Sequence, residues 1–498
     1  MKVFRLIFVL NYFIYYILMC SCSQKIQSEI AQKNLYQVKA YIYDYHPNPN
    51  YFVSQSVTDS VFERLNWSVK KHKKLKKREF QAIIETYVAS FNDGHTTLHK
   101  PLFDEISNLA FGRCFPFDVS VKGTQMYTDR SYLNKTVSTY NAEIISINEV
   151  PTKVFLTGLK DKIAANNIDL KDVILSGSFP YKLWRYGSIK PPFNIELATS
   201  SNDTILIAKQ SVKYSKYTRL STEAWRSIYE EKFADSTASY VKPIAWETEK
   251  KNKGIPKYYF YYTDDIAMLR IKSFSGSAKQ KEFYDRCFKE ISNHKNIKTL
   301  FIDLRNNRGG RTRNFEALFS YLSADTITQA KQVLFKVNTE TLLAAQKMKE
   351  KGEPLLYEKI KDHTPGELVS LFNDKDLMIS NDSNTYRFEG EIYVLIDAGT
   401  FSAAVGFATI VRNNKLGYIV GTPTGGMTNA FGDPIKLKLK STQLSLMVPT
   451  KHILQDDISI KSPLIPDFYM NFNGYEDSEA YSHSKFAEDI IDRIGINR

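Results

Sequence analysis

Between residues 59 and 99 the apolar positions recur at helical spacing, and Phe80, Ile83, Ile84, Tyr87, Val88 and Phe91 fall on one face. Asn92-Asp93-Gly94 supplies stop chemistry, with Gly94 the natural left-handed residue, so His95 is expected just past a rigid helix end. The period then changes. Residues 117–121 and 143–148 read as strands between polar turns, followed by a helix over residues 154–165. The second half alternates instead, with strands at 266–271, 299–304 and 393–396, a helix around 283–291 and another from Asn314. That order predicts an α/β domain.

One apolar run belongs to none of these elements. Residues 6–19 follow Lys2 and Arg5 and precede Cys20 and Cys22, the layout of an export signal, and about 14 residues are too few for the roughly 20 that span a bilayer. Met19-Cys20-Ser21-Cys22 resembles a bacterial lipobox, although Met19 stands where that box has leucine. The resemblance implies a diacylated Cys22 and a lipoprotein of the cell envelope, in the periplasm or on the outer membrane, with plain cleavage or a retained anchor as the alternatives. Only Cys114 and Cys287 remain beyond the leader, so the chain is no disulfide scaffold.

At 498 residues, 43% apolar and 13% aromatic, the chain is long enough for several domains, each with its own core. A formal charge of +13 raises the question of nucleic acid. The lysines are scattered, however, and the one dense run, residues 70–78, reads as a solvated linker or helix face. No zinc-finger, P-loop or RNA-binding pattern accompanies it, and nucleic acid is set aside as a partner.

Two strand-to-loop junctions carry the chemistry. In the first, Asp303-Leu304-Arg305-Asn306-Asn307-Arg308-Gly309-Gly310, a strand runs into a double glycine, where exposed backbone N–H groups can face an anion. Taken alone this is an ordinary tight turn. In the second, Ser402 follows the apolar strand at 393–396 and opens a helix of small residues, Ala403-Ala404-Val405-Gly406. Unpaired N–H groups and the positive end of the helix dipole favour negative charge there, yet a serine at such a place is most commonly just an N-cap.

In company the two junctions read differently. "LFIDLRNNRGG", "VLIDAGTFSAAVGFA" and "IVGTPTGG", in this order over residues 80–470, resemble the catalytic core of the tail-specific, or C-terminal processing, serine proteases and of the tricorn core protease. The resemblance implies Ser402 as nucleophile, with the N–H groups of Gly309 or Gly310 and of Ala403 as oxyanion hole. One branch of that family takes its base from a lysine in "G-x-x-T-x-G-K", but here Met427 fills the lysine position and accepts no proton. The other branch takes a histidine from an N-terminal region, and "FNDGHTTL" resembles its element, which makes His95 the base. A metal reading of His95 and His99 fails because Thr96 stands where a zinc-protease helix carries glutamate. The acid that orients the histidine lies ahead of a "P-D" ending in that branch. Pro466-Asp467 matches the ending, and Asp457, with Asp456 and Ser462 as alternatives, is the nearest candidate. Asp303 reads as a support for the glycine loop.

The phrase "EIISINEVP" followed by a helix resembles a PDZ module, without its carboxylate-binding glycine loop. The expected organisation is a leader over 1–22, a helical N-terminal domain over 23–110, a PDZ-like domain over 111–205 and a crotonase- or ClpP-like α/β catalytic core over 206–498. The implied activity is endopeptidase cleavage of proteins or peptides without metal or organic cofactor. Substrate would add as a strand near Leu437–Lys440 or the "LSLMV" strand. A catalytically inactive peptide-binding relative is the alternative. An acyl-CoA enzyme shares the double-glycine logic but suits no exported chain, and an α/β-hydrolase would need a G-x-S-x-G elbow.

Overall fold

The computed structural model describes residues 25–99, 112–132, 140–198, 203–217, 239–241, 258–263, 265–472 and 483–495, apart from isolated positions and short stretches within them. The expected leader, with Cys20 and Cys22, lies outside the described residues.

Three helices open the described chain: α1 (Ser28–Tyr45), α2 (Gln55–Lys70) and α3 (Lys77–Ala89). The helical stretch expected from 59 to 99 is thus two helices, broken within the basic run. Like charges three and four residues apart repel along a helix. The run leaves it, lays Lys74–Lys76 antiparallel against Lys25–Gln27, exposes Lys71, Lys73, Lys74 and Lys76, and buries only Leu75. On α3 the predicted stripe turns inward: Phe80, Ile84, Tyr87 and Val88 are buried, as is Phe91 beyond the helix end. The strand β1 (Thr97–His99) follows the loop that carries His95.

The middle of the chain is β-rich. β2 (Phe117–Lys122), β3 (Gln125–Ser131) and β4 (Glu143–Ile147) precede α4 (Thr152–Lys160), α5 (Ile168–Ser176) and α6 (Phe179–Tyr186). β5 (Phe193–Ala198) and β6 (Thr204–Gln210) complete an antiparallel sheet in the order β6-β5-β4-β3-β2. Its alternate residues, among them Phe117, Val119, Ile144 and Ile195, meet Leu156, Leu170 and Phe179 of the helices in a separate core. Cys114 is buried here and Cys287 in the α/β core, and neither forms a disulfide.

The α/β unit contains β7 (Tyr258–Tyr262), β8 (Ile266–Ile271), α7 (Ala278–Asn293), β9 (Thr299–Asp303) and α8 (Thr312–Leu322). Then come β10 (Glu391–Ile396), α9 (Ala403–Asn413), β11 (Tyr418–Gly421), β12 (Ile435–Lys438), β13 (Ser445–Val448), β14 (Lys451–Leu454), β15 (Phe468–Tyr469) and α10 (His483–Ile494). The main sheet runs Ser239–Val241, β7, β8, β9, β10, β11, β15, and every pair from β8 to β15 is parallel. Such strands are buried on both faces, which is why β8 has no exposed residue. Phe283, Phe288, Phe315, Phe319 and Phe407 of α7, α8 and α9 cover one face, and Phe486, Ile490 and Ile491 of α10 pack on the other.

Two consequences bear on the site. β9 and β10 are paired in parallel, Asp303 opposite Leu395, so the loops leaving their carboxyl ends emerge side by side although about ninety residues separate them. The N-terminal helices, in turn, do not close a core alone. Leu437, Leu439, Leu444, Leu446 and Val448, on and between β12 and β13, fill it with them, and β1 pairs with β13. The loop bearing His95 is thereby fastened to the C-terminal half.

Candidate active site

The loop after α3 is built for a fixed histidine. Its left-handed residue is Asn92 (φ 50°), not Gly94. Gly94 is required for a different reason: a Cβ there would lie 2.7 and 2.9 Å from the ring atoms of Phe401. Asp93 is buried, and its Oδ1 accepts the His95 backbone N–H at 3.1 Å, an Asx turn that aims the next side chain. The His95 ring stacks on Phe401 with centroids 4.6 Å apart. Asn166 of the β-rich unit braces the loop by donating to the Asn92 carbonyl at 3.1 Å.

After β10 the chain makes a similarly constrained turn. Asp397 Oδ1 accepts the N–H groups of Asn306 at 2.8 Å and Gly399 at 2.9 Å, Thr400 Oγ1 donates to the Leu304 carbonyl at 3.0 Å, and the Phe401 N–H donates to Asn307 O at 2.9 Å. The β9 and β10 loops are stitched into one body. At its end Ser402 has φ 57° and ψ −127°, a region that non-glycine residues seldom occupy and that costs of order 1–3 kcal/mol. Its hydroxyl makes no capping bond, so the ordinary N-cap role is absent. Instead Ser402 Oγ lies 2.9 Å from His95 Nε2, between residues 307 positions apart.

The glycine loop lies against this serine. Asp303 is buried between Arg270 and Arg305, accepting from Arg305 Nε at 2.9 Å and Nη2 at 2.7 Å. Burial alone would push its carboxyl up, but the two guanidinium groups hold it well below the usual carboxylate range. Asn307, fully buried, donates to Ile271 O at 2.9 Å and accepts the Gly309 N–H at 2.8 Å. Gly309 (φ 89°) touches the serine so closely that a Cβ would sit 2.8 Å from both Ser402 Cβ and Ala403 N. Its N–H is already engaged by Asn307, which removes Gly309 from the expected oxyanion donors. The N–H groups of Gly310 and Ala403 have no partner among the described residues. The segment with Met427 packs here too: a Cβ on Gly426 would be 3.3 Å from Ser402 N, and Met427 is buried.

The acid is where the structure departs most from the expectation. Asp457 does not reach His95. Its carboxylate turns back on Ser459, accepting the N–H at 2.8 Å and the hydroxyl at 2.6 Å, while Asp456 pairs with Arg412 at 2.9 Å. Asp467 Oδ2 accepts the Ile419 N–H at 2.7 Å, a structural bond. The carboxylate beside His95 is Asp93, whose Oδ1 lies 3.5 Å from Nδ1. Asp93 Oδ2 in turn accepts from Thr96 Oγ1 at 2.6 Å and lies 3.3 Å from Nε2 of the buried His46. Burial opposes its ionisation, yet the hydrogen bonds from His46 and His95 hold its carboxyl well below the usual range. The sequence carries a signal for it: the carboxylate stands two positions before the histidine in Asn92-Asp93-Gly94-His95, the spacing of an Asx turn. Among the described residues no cluster of histidine, cysteine and carboxylate could hold a metal ion.

A serine in strained backbone beside a histidine, on a glycine loop at the carboxyl ends of parallel strands, defines a serine-type hydrolase site on an α/β core. Residues 265–467 match the model of peptidase family S41, and the chain is a serine-type peptidase. Among solved structures it is similar to mature CPAF and to mature CPAF complexed with lactacystin. Each match has a TM-score of 0.63 at 14% identity, covering 93% of this chain and 96% and 97% of the others. The photosystem II D1 C-terminal processing protease matches at a TM-score of 0.41 and 14% identity, over 89% of this chain and 94% of that one. No curated protein matches the sequence.

Proposed function

We propose that the chain is an endopeptidase that cleaves proteins or peptides through an acyl-enzyme on Ser402, with His95 as general base and Asp93 as its orienting acid. The observation that carries this is the 2.9 Å approach of His95 Nε2 to Ser402 Oγ. Nε2 accepts the hydroxyl proton as Oγ attacks the scissile carbonyl carbon, and the resulting imidazolium keeps its Nδ1–H toward Asp93 Oδ1. The carbonyl oxygen, now negative, takes the N–H groups of Gly310 and Ala403, the latter at the positive end of α9. His95 returns the proton to the leaving amine, the C–N bond breaks, and water repeats the sequence in reverse to free the acid. A side chain one-tenth exposed at His95 beside one 2% exposed at Asp93 suits this division of labour, the base open to substrate and the acid dry. Labelling with a fluorophosphonate tests it: the wild type reacts at Ser402, and a folded protein that fails to react there would overturn the reading.

Export with a lipid on Cys22 is the second part of the proposal, supported by the run at residues 6–19 and the two cysteines after it. Among the described residues no helix is long and apolar enough to cross a membrane. Mass spectrometry of the protein from its envelope fraction should find a diacylated Cys22 as first residue, and an unmodified N-terminus would refute it. The β-rich unit over 111–205 is proposed as the PDZ-like module that receives peptide tails by strand addition.

A further inference from the structure

We infer that His46 is a positioning residue for catalysis, its Nε2–H holding the Asp93 carboxylate in the one orientation that serves His95. The inference rests on the serine–histidine reading above and adds a member to it. His46 caps the end of α1 and is completely buried. The Asn48 backbone N–H donates to its Nδ1 at 3.1 Å, so the neutral ring carries its proton on Nε2, which faces Asp93 Oδ2 at 3.3 Å. Thr96 Oγ1 donates to the same oxygen at 2.6 Å. One carboxylate oxygen is thus occupied by His46 and Thr96, and the other is left for the backbone N–H and ring of His95. An aspartate's terminal torsion is broad, so without the outer donors the carboxylate could swing away from His95.

The ring of His46 is itself held. It meets Phe431 edge-on with centroids 4.3 Å apart, and Lys336 Nζ donates to its carbonyl at 3.3 Å. The charged or titratable groups facing it are Asp93, His95, Lys336 and, across Phe431, His452. Burial lowers the basicity of both His46 and His452. The end of α1 is coupled in this way to the reacting serine through Asp93 and His95.

Two substitutions separate this role from simple packing. His46→Gln places an amide N–H near the position of Nε2 and keeps the reach to Asp93. His46→Asn keeps an acceptor for the Asn48 N–H but falls short of Asp93. With the outer donor gone, the Asp93 carboxylate swings away from His95, whose imidazolium loses that partner. The rate of fluorophosphonate labelling of Ser402 against pH should therefore show, for His46→Asn, a drop of about tenfold and an acid limb displaced to lower pH. His46→Gln should stay within about twofold of wild type with the limb in place. The inference is overturned if both variants keep the wild-type limb, whether their rates are unchanged or equally reduced, because packing alone would do that. Absence of labelling in the wild type would instead remove the serine–histidine reading, and this inference with it.

Discussion

Each residue at the centre of the site is defined by what surrounds it. Ser402 forgoes the capping bond open to a serine at a helix start and spends its hydroxyl on His95. Ser402→Ala is expected to abolish fluorophosphonate labelling and to lower peptide hydrolysis by about 10⁶-fold with circular dichroism unchanged. The acid gives a sharper comparison. Asp93→Asn should cost about 10⁴ in kcat by setting the wrong tautomer on His95, whereas Asp457→Asn, on an exposed turn closed by Ser459, should leave kcat/KM within about twofold. A large loss in Asp457→Asn with little in Asp93→Asn would reverse the assignment.

Among the elements, two close contacts set the geometry. The glycine loop approaches Ser402 so tightly that Gly309→Ala must displace either Ser402 or the loop, at a φ of 89° that alanine resists. The expected result is a fall of about 10²–10³ in kcat with binding of uncleaved peptides retained, as for loss of one oxyanion donor. Gly94→Ala acts from the other side. A methyl group there presses on Phe401, on which His95 stacks, and should lower the labelling rate of Ser402 without unfolding α3. Both follow from tertiary approach. A reading of Gly94 as a left-handed helix stop misses it because Asn92 already makes the turn.

Over the whole molecule, acid should loosen the join between the N-terminal helices and the α/β unit, where His46, Asp93 and His452 are buried. His452 is held down to about 4 by burial, while an unfolded histidine titrates near about 6.5. Its folded value is depressed, so the unfolded chain binds the extra proton first and stability is lost as pH falls from about 6.5 to 4, by roughly 3 kcal/mol. His46 is lowered too and adds a loss of the same sign below about 6.5. Asp93 is depressed below the unfolded carboxylate value, so its contribution is present above about 4 and lost below it. Urea midpoints between pH 7 and 4.5 should therefore fall steadily, and His452→Phe should flatten that fall. A midpoint equally steep in His452→Phe would assign the acid sensitivity elsewhere.

The α/β alternation, the two strand-to-loop junctions that bear the glycine loop and Ser402, and the placing of His95 just past a helix end were legible along the chain, because apolar periodicity, glycine pairs and short motifs are local properties of the backbone. That methionine and not lysine stands at 427 was legible for the same reason. The tertiary structure decided everything that depends on which side of a loop faces inward. It brought Asp93 rather than Asp457 to the histidine, because the Asx turn folds that carboxylate back on its own loop while Ser459 claims the other. It withdrew Gly309 as a donor, because Asn307 takes its N–H. It also joined His46 to the site, since only the shared core of α1–α3 with β12 and β13 sets the end of α1 beside Asp93. Spacing along a chain marks Asp93 as able to make an Asx turn but fixes none of these, because each depends on a packing partner hundreds of residues away or on the direction in which a polar atom is left free.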